Sequence, residues 1–161
     1  MDNRELIRLQ LASVRSDLAE TFPRLTDDLL DYAPGAGMRT VHGQFVEILA
    51  TEVSLQIVIA GQPGRDYAEI EQPFLDIRTM AGLIRAADAT RARTLELLEA
   101  CADEDLNGNV QVSESFASWL GTPREVPKSE LFRHIARHES YHAGQLVSYL
   151  WARGDDPYQW D

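Results

Sequence analysis

Residues 131–146 read LFRHIARHESYHAGQL, and this stretch indicates a long amphipathic helix near the end of the chain. Residues three or four positions apart share one face of an α-helix. One such face carries Leu131, Ile135, His138, His142, Leu146 and Tyr149. A polar ring on a core-facing stripe needs a partner, because burial without one costs desolvation energy. His138 and His142 are four residues apart, so both imidazoles can point at the same metal ion.

The rest of the chain reads as three further helices joined by uneven loops. The four helices are predicted over residues 3–21, 40–60, 75–102 and 129–154. Thr40 is a suitable N-cap for the second helix, and Gly61 is a suitable C-terminal stop. Residues 62–73 are predicted as loop, and residues 103–127 show no clear period apart from a short extended piece at Val110–Val112. Four long amphipathic helices in 161 residues predict an all-α fold, a four-helix bundle with a long irregular connection before the last helix.

Composition limits the possible partners. The chain has 161 residues, a net charge of −11 and a single cysteine, Cys101. One domain spanning residues 1–161 is the natural expectation at this length. So acidic a surface repels nucleic acid and anionic membranes, and no run of roughly 18 apolar residues suggests a membrane span. Residues 1–5 lack the features of a signal peptide and a lone cysteine offers no internal disulfide, so we expect a cytoplasmic protein.

The motif around the histidine pair resembles a known family. The run His134–Leu146 is similar to the last-helix signature of the DinB/YfiT-like superfamily, and residues 150–157 also fit. Residues 39–52, RTVHGQFVEILATE, are similar to the family's second helix. The resemblance covers nearly the whole chain, although only the last helix carries a specific motif. It implies a four-helix bundle, a homodimer and a divalent metal such as nickel or zinc. Three histidines hold that metal in the family, and His138 and His142 match the two on the last helix.

The third metal ligand is the point at which this sequence departs from the family pattern. Alignment of the second helix with the family places Glu47 where the third histidine is missing. Helical phase favours His42 instead, because the apolar arc of that helix includes position 42 and leaves Glu47 near its polar edge. We predict Glu47 with His138 and His142, with His42 as the alternative third ligand. Two histidines and a carboxylate suit zinc, and also iron or manganese. Loss of the metal altogether is a third outcome.

Two classes of function stay open. Resemblance implies a metal-dependent enzyme, because characterised relatives include thiol S-transferases that use low-molecular-weight thiols and a maleylpyruvate isomerase. A transferase or hydrolase acting on a small molecule is therefore the first hypothesis. The alternative is a non-catalytic homodimeric bundle that binds a metal or small ligand, with a role in a stress response. One fold serves many chemistries, so neither class fixes a substrate.

Several other side chains receive simpler interpretations. Arg91 is predicted on the outer side of the third helix, away from its apolar positions, and Glu139 is predicted to face solvent. His134 is predicted on the helix surface, whereas Tyr141 is predicted to pack against other side chains. Glu52 lies on the apolar arc of the second helix, either as a carboxylate behind the metal ligands or in an ion pair with an arginine.

Overall fold

The computed structural model describes residues 2–160, and within them the chain forms seven α-helices and two short strands. In chain order these are α1 (Asn3–Ala19), α2 (Val41–Ile59), α3 (Tyr67–Leu75), α4 (Met80–Ala100), α5 (Asp103–Asn107), β1 (Asn109–Gln111), α6 (Glu114–Leu120), β2 (Glu125–Pro127) and α7 (Lys128–Ala152). The helices α1, α2, α4 and α7 are long, with 17, 19, 21 and 25 residues. The chain is thus mostly helical, as predicted. Among residues 2–160, no helix combines the length and the apolar character that crossing a lipid bilayer requires.

Side-chain caps fix where three of the long helices begin. Asp2, Thr40 and Thr79 each accept a hydrogen bond from the backbone N–H three residues further on. Thr40 Oγ1 accepts from the N–H of Gly43 at 3.0 Å, which sets the start of α2. Gly61 follows the end of α2 with a φ of 66°, in the left-handed region that favours glycine. Both predicted ends of this helix are therefore confirmed.

The long helices enclose two apolar clusters. α7 packs against α1 and α2, and α2 also packs against α3 and α4. Residues from the second half of α1 and α7 and the first half of α2 and α4 form one cluster, which includes Leu18, Phe45, Leu83 and Leu146. The opposite halves form the other cluster, which includes Leu11, Leu55, Leu98 and Phe132. Each cluster therefore holds all four long helices together by burying apolar side chains.

A layer of buried charge lies between the two apolar clusters. The layer consists of Arg15 of α1, Glu52 of α2, Arg91 of α4 and Glu139 of α7. Arg91 Nε donates to Glu52 Oε1 at 2.9 Å, and the Arg91 guanidinium also contacts the Glu139 carboxylate. Arg15 Nε donates to Glu139 Oε1 at 2.7 Å. Two positive and two negative charges thus compensate one another, as buried ions require.

This layer corrects two predictions. Arg91 was predicted outside and Glu139 in solvent, yet only 6% and 1% of these residues are exposed. The predictions were wrong because each charge finds its partner on a different helix, which the pattern of a single helix does not reveal. For Glu52, the structure selects the ion pair with an arginine.

The predicted third helix, residues 75–102, corresponds to α4, and a separate helix, α3, precedes it. α3 occupies part of the stretch 62–73 that was predicted as loop, and α4 begins only at Met80. Pro73 lies inside α3 and hid its helical pattern, although Asp66 caps the helix by accepting from Ala68 N. Thr79 then caps α4. The extra helix matters for the site, because it packs against α2.

The irregular connection before α7 has a small structure of its own. β1 and β2 pair antiparallel, with Val110 opposite Val126, which confirms the extended piece predicted there except at Val112, just beyond β1. Ser113 caps α6 by accepting from the N–H of Phe116. Helix α6 carries Trp119, whose ring lies against α7.

Candidate metal centre

Three side chains from two helices converge at one point. α7 presents His138 and His142 one turn apart, and the neighbouring α2 presents Glu47. Their ligand atoms all lie within 4.8 Å of one another. His142 is buried, whereas Glu47 and His138 are partly exposed, so the group is open on one side. The structure therefore brings together the three residues that we predicted as ligands.

The spacing of the two imidazoles fits a shared ion. The Nε2 atoms of His138 and His142 lie 3.2 Å apart. Zinc binds an imidazole nitrogen at about 2.0–2.1 Å, so two such nitrogens on one tetrahedral ion lie roughly 3.3 Å apart. In the absence of an ion, one proton between the nitrogens makes the contact a hydrogen bond. An ion can take the place of that proton when neutral His138 carries its proton on Nδ1 instead of Nε2.

A chain of hydrogen bonds fixes which nitrogen of His142 faces the centre. Tyr149 Oη donates to the backbone carbonyl of Arg39 at 2.7 Å, so it accepts from Gln44 Nε2, at 2.9 Å. The Oε1 atom of Gln44 therefore faces His142 and accepts the Nδ1 proton. The Nε2 atom of His142 is left with a free lone pair, directed at His138. This is the arrangement in which a second residue orients a metal-binding imidazole.

Both imidazoles are held in the neutral form. Burial, reinforced by His142, His134 and Arg39, lowers the pKa of His138 to about 3. Burial and the Arg39 guanidinium lower the pKa of His142 to about 4. Neutral imidazole is the form that binds metal ions, so neither ring has to lose a charge-bearing proton near neutral pH.

Arg39 compensates the charge of Glu47. Its Nη2 atom lies 3.2 Å from Glu47 Oε2, and about half of the arginine side chain is exposed. A carboxylate has lone pairs for several partners, so Glu47 can contact both an ion and the guanidinium. The backbone carbonyl of Arg39 also accepts the hydrogen bond from Tyr149, so Arg39 contacts Glu47 through its side chain and supports the Gln44–His142 hydrogen bond through its backbone.

The sequence of the chain matches a known protein family over its full length. The sequence model of the DinB family matches residues 1–161, the whole chain. The chain belongs to the DinB family. This confirms the resemblance given by the last-helix motif. No curated protein and no solved structure matches the chain. The family assignment is independent of the geometry of the centre, and it does not identify a substrate.

The alternative third ligand of this DinB chain lies elsewhere. His42 Nε2 hydrogen-bonds with the backbone carbonyl of Ile77 at 2.9 Å, and its Nδ1 atom lies 3.4 Å from an Arg78 guanidinium nitrogen. Positions 42 and 47 differ by about 140° around the axis of an α-helix, so one helix cannot turn both toward α7. Glu47, and not His42, is the residue of α2 that joins the two histidines.

His134 is not on the surface, which corrects our prediction. Only 9% of the residue is exposed, and its Nε2 atom is buried without a hydrogen-bond partner among residues 2–160. Burial and the Arg137 guanidinium lower its pKa to about 4. Trp119 covers it, with ring centroids 4.9 Å apart, and reaches His138 at 6.0 Å. Tyr141 is the opposite case, because 64% of it is exposed although packing was predicted.

Tyr67 is a residue of the site that sequence reasoning missed. Its hydroxyl lies 3.3 Å from Thr51 Oγ1, one helical turn after Glu47 on α2. Burial, together with the carboxylates of Glu47 and Glu71, raises the pKa of Tyr67 to about 12. The phenol therefore stays protonated and can donate a hydrogen bond beside the centre. Its helix, α3, was predicted as loop, so no pattern pointed to it.

Proposed function

We propose that this DinB protein is a metal-dependent enzyme that acts on a small molecule by thiol transfer or hydrolysis. Glu47, His138 and His142 would hold one divalent ion: zinc, nickel, iron or manganese. The observation that carries the proposal is the pair of facing Nε2 atoms, 3.2 Å apart, with a carboxylate in reach. Three protein ligands are what catalytic zinc sites use, because a further position stays open for a substrate.

The surrounding side chains have defined tasks in this proposal. When bound, a divalent ion supplies Lewis acidity to a thiol or a water molecule. Gln44 holds the His142 ring by accepting its Nδ1 proton. Arg39 offsets the carboxylate charge of Glu47 and leaves part of its guanidinium exposed for an anionic group. Tyr67 keeps its proton and can hydrogen-bond to a substrate atom near Glu47.

Metal analysis tests the ligand set. The full chain, purified without a histidine tag, is expected to hold about one equivalent of a divalent ion per chain. The variants Glu47→Ala and His138→Ala should lose it. His42→Ala and His134→Ala are matched controls, because these buried histidines lie outside the group and should keep the ion. Retention by Glu47→Ala together with loss by His42→Ala would reverse the assignment of the third ligand.

A second assay separates enzyme from binder. Metal-loaded protein is mixed with low-molecular-weight thiols and a set of electrophiles and esters, and product formation is compared with that of His138→Ala. Turnover that disappears in the variant supports the enzyme. The replacement of the family's third histidine by Glu47 favours the second candidate, a protein that binds the metal without turnover. Stoichiometric metal with no reaction across the set would establish that candidate instead.

We also propose the DinB-type four-helix bundle as the arrangement of α1, α2, α4 and α7 in one domain, and a homodimer as the assembly. Packing of α7 against α1 and α2, and of α2 against α4, supports the bundle. Exposed aromatic side chains of α7, Tyr141 and Trp151, support a partner on that face. The single cysteine supports a cytoplasmic location. Light scattering of the full chain tests the dimer.

A further inference from the structure

A cavity of about 670 Å³ lies directly beside Glu47. Its walls come from α2, from α3 and the segment that leads into it, and from β1 and α6. Sites for small molecules commonly have volumes of about 300–1,000 Å³. The cavity is therefore large enough for a complete small ligand and touches a proposed metal ligand at one end.

The cavity is elongated along α2. Glu47, Ser54 and Val58 line it from the same face of that helix, and Gly61 and Arg65 follow at the far end. Val58 comes eleven positions after Glu47, which corresponds to about 16 Å along a helix axis. A ligand that fills the cavity thus has one end near the metal centre and the other near Arg65.

Apolar and aromatic side chains form most of its walls. Phe116 and Trp119 lie side by side, with ring centroids 5.5 Å apart, and face Ile57, Val58 and Ile70 across the cavity. Such rings favour flat, apolar groups, because aromatic contacts add to the energy of burial. Trp119 also touches His138, so a group packed on this ring lies next to the proposed ligands.

Charge distinguishes the two ends of the cavity. Its charged lining residues are Glu47, which Arg39 offsets, and Arg65. The Arg65 side chain is 55% exposed and is held only loosely by Glu69, with 3.9 Å between Nε and Oε2. In a chain with a net charge of −11, this guanidinium is the position in the cavity where an anionic group is attracted.

We propose that the cavity binds a small amphipathic anion, with a flat apolar body against Phe116 and Trp119 and its acidic group at Arg65. The inference extends the proposed function, since the end of such a ligand remote from Arg65 lies beside Glu47. It is tested on the metal-free protein, so that cavity and ion are examined separately.

Two fluorescent probes differ in one acidic group. The dye 1-anilinonaphthalene-8-sulfonate carries a sulfonate, and N-phenyl-1-naphthylamine is the same aromatic body without it. Titration of the metal-free full chain should give saturable binding of both dyes, with one site per chain and tighter binding of the sulfonate. The absence of a saturable single site for the sulfonate would overturn the proposal.

Matched variants then locate the site. Trp119→Ala should weaken both dyes about tenfold. Arg65→Gln should weaken only the sulfonate, about threefold, since an exposed ion pair is weak. The controls are Trp151→Ala and Arg93→Gln. Trp151 is 51% exposed and outside the cavity, and Arg93 is 55% exposed and pairs with Glu96, as Arg65 does with Glu69. Equal losses in variants and controls would overturn the assignment.

Two further measurements keep the outcomes separate. Ser54→Phe fills the cavity from α2 and should abolish binding of both dyes, whereas Ser54→Ala should leave binding intact. This pair of variants tests the cavity even if Trp119→Ala fails to fold. Metal uptake is measured on a separate portion of each preparation, after the metal-free protein has been incubated with a divalent ion. Dye binding in a protein that takes up no ion contradicts the metal centre alone, and metal uptake without dye binding contradicts the cavity alone.

Discussion

His138 and Glu139 are consecutive residues of α7, and their side chains serve two different interfaces. His138 faces His142 and the Glu47 carboxylate of α2. Glu139 turns inward and accepts a hydrogen bond from Arg15 at 2.7 Å, while it also contacts Arg91. Adjacent residues of a helix point about 100° apart, so fixing one side chain fixes the direction of the next. The buried charges therefore set the rotation of α7 that aims His138 at α2.

Removal of the Glu139 carboxylate should destabilise the whole fold. In Glu139→Ala, the buried Arg91 and the largely buried Arg15 lose a compensating charge. Loss of one partner of a buried pair costs about 3–5 kcal/mol of unfolding free energy, because the other charge stays desolvated. Urea unfolding of the metal-free protein, followed by far-ultraviolet circular dichroism, measures the difference.

Glu99→Ala is the control for that prediction. Glu99 pairs with Arg8 at 2.5 Å, but both side chains are about half exposed. Exposed pairs contribute about 0–1 kcal/mol, so this variant should unfold almost as the natural protein does. Equal destabilisation by the two variants would mean that the charged layer contributes no more than a surface pair.

Gln44 should control metal affinity without touching the metal. The variant Gln44→Leu keeps the side-chain volume but removes the acceptor for the His142 Nδ1 proton. Loss of such a supporting contact typically weakens metal binding about 10- to 100-fold. Competition with a chelator measures the affinity. Nitrogen-15 NMR of the imidazoles should also show that His142 no longer carries its proton exclusively on Nδ1.

Gln56→Leu is a matched control for Gln44→Leu. Gln56 is also a buried amide on α2, but it donates to the Thr90 carbonyl and to Thr94 Oγ1, both at 2.8 Å, far along the helix from the centre. It should lose stability and keep the natural metal affinity and His142 tautomer. A similar affinity loss in both variants would indicate a general effect of disturbing α2.

Acid should destabilise the metal-free protein well before carboxylates titrate. The pKa values of His134, His138 and His142 fall from an ordinary 6.5 to about 4, 3 and 4, mainly through burial. Between these values and 6.5 the unfolded chain binds more protons than the folded one, so unfolding free energy decreases as pH falls. Above pH 6.5 the three rings are neutral in both states, and their effect on the pH dependence disappears.

NMR titration checks this directly. The Cε1 proton signals of the three histidines should stay constant from pH 7.5 to 5.5, while urea midpoints decrease over the range from 6.5 to 5. A midpoint near 6.5 for His138 or His142 would show that these rings are solvated, contrary to their burial in the structure.

Sequence predicted the part of the site that depends on one helix. His138 and His142 follow from the period of α7 alone, whereas the choice between Glu47 and His42 depended on α2. The helical phase of the apolar residues had favoured His42. It was a poor guide because α2 packs against α3, α4 and α7, and residues all around this helix are buried. Because no position of α2 is fully exposed, an apolar arc does not mark the side that meets α7. Family alignment carried information that the hydrophobic pattern lacked.

The pattern of a single helix also could not predict contacts between segments that are distant in the sequence. The ion pair of Arg91 with Glu139 joins residues on different helices, and each looks like an ordinary surface charge within its own helix. Trp119 reaches His134 and His138 only because β1 and β2 pair and carry α6 onto α7. Tertiary packing, and not local propensity, decides such positions.

Trp119 should report metal binding by its fluorescence. Its ring centroid lies 6.0 Å from that of His138, whereas Trp151 lies nine residues beyond His142 on α7, about 14 Å along the axis. Nickel or cobalt bound at the centre should quench part of the tryptophan emission in a saturable way, with one equivalent per chain. Zinc has a filled d shell and should bind without this quenching.

The tryptophan variants decide whether the quenched emission comes from Trp119. Trp119→Phe should remove the saturable component and keep metal uptake, because the indole is not a ligand. Trp151→Phe is the matched control, since Trp151 is exposed to a similar extent, 51% against 46%, and should retain the quenching. If Trp119→Phe kept the full quenching, the quenched emission would come from another tryptophan. The ion would then lie away from His138, because Trp119 is the indole that lies against the His138 ring.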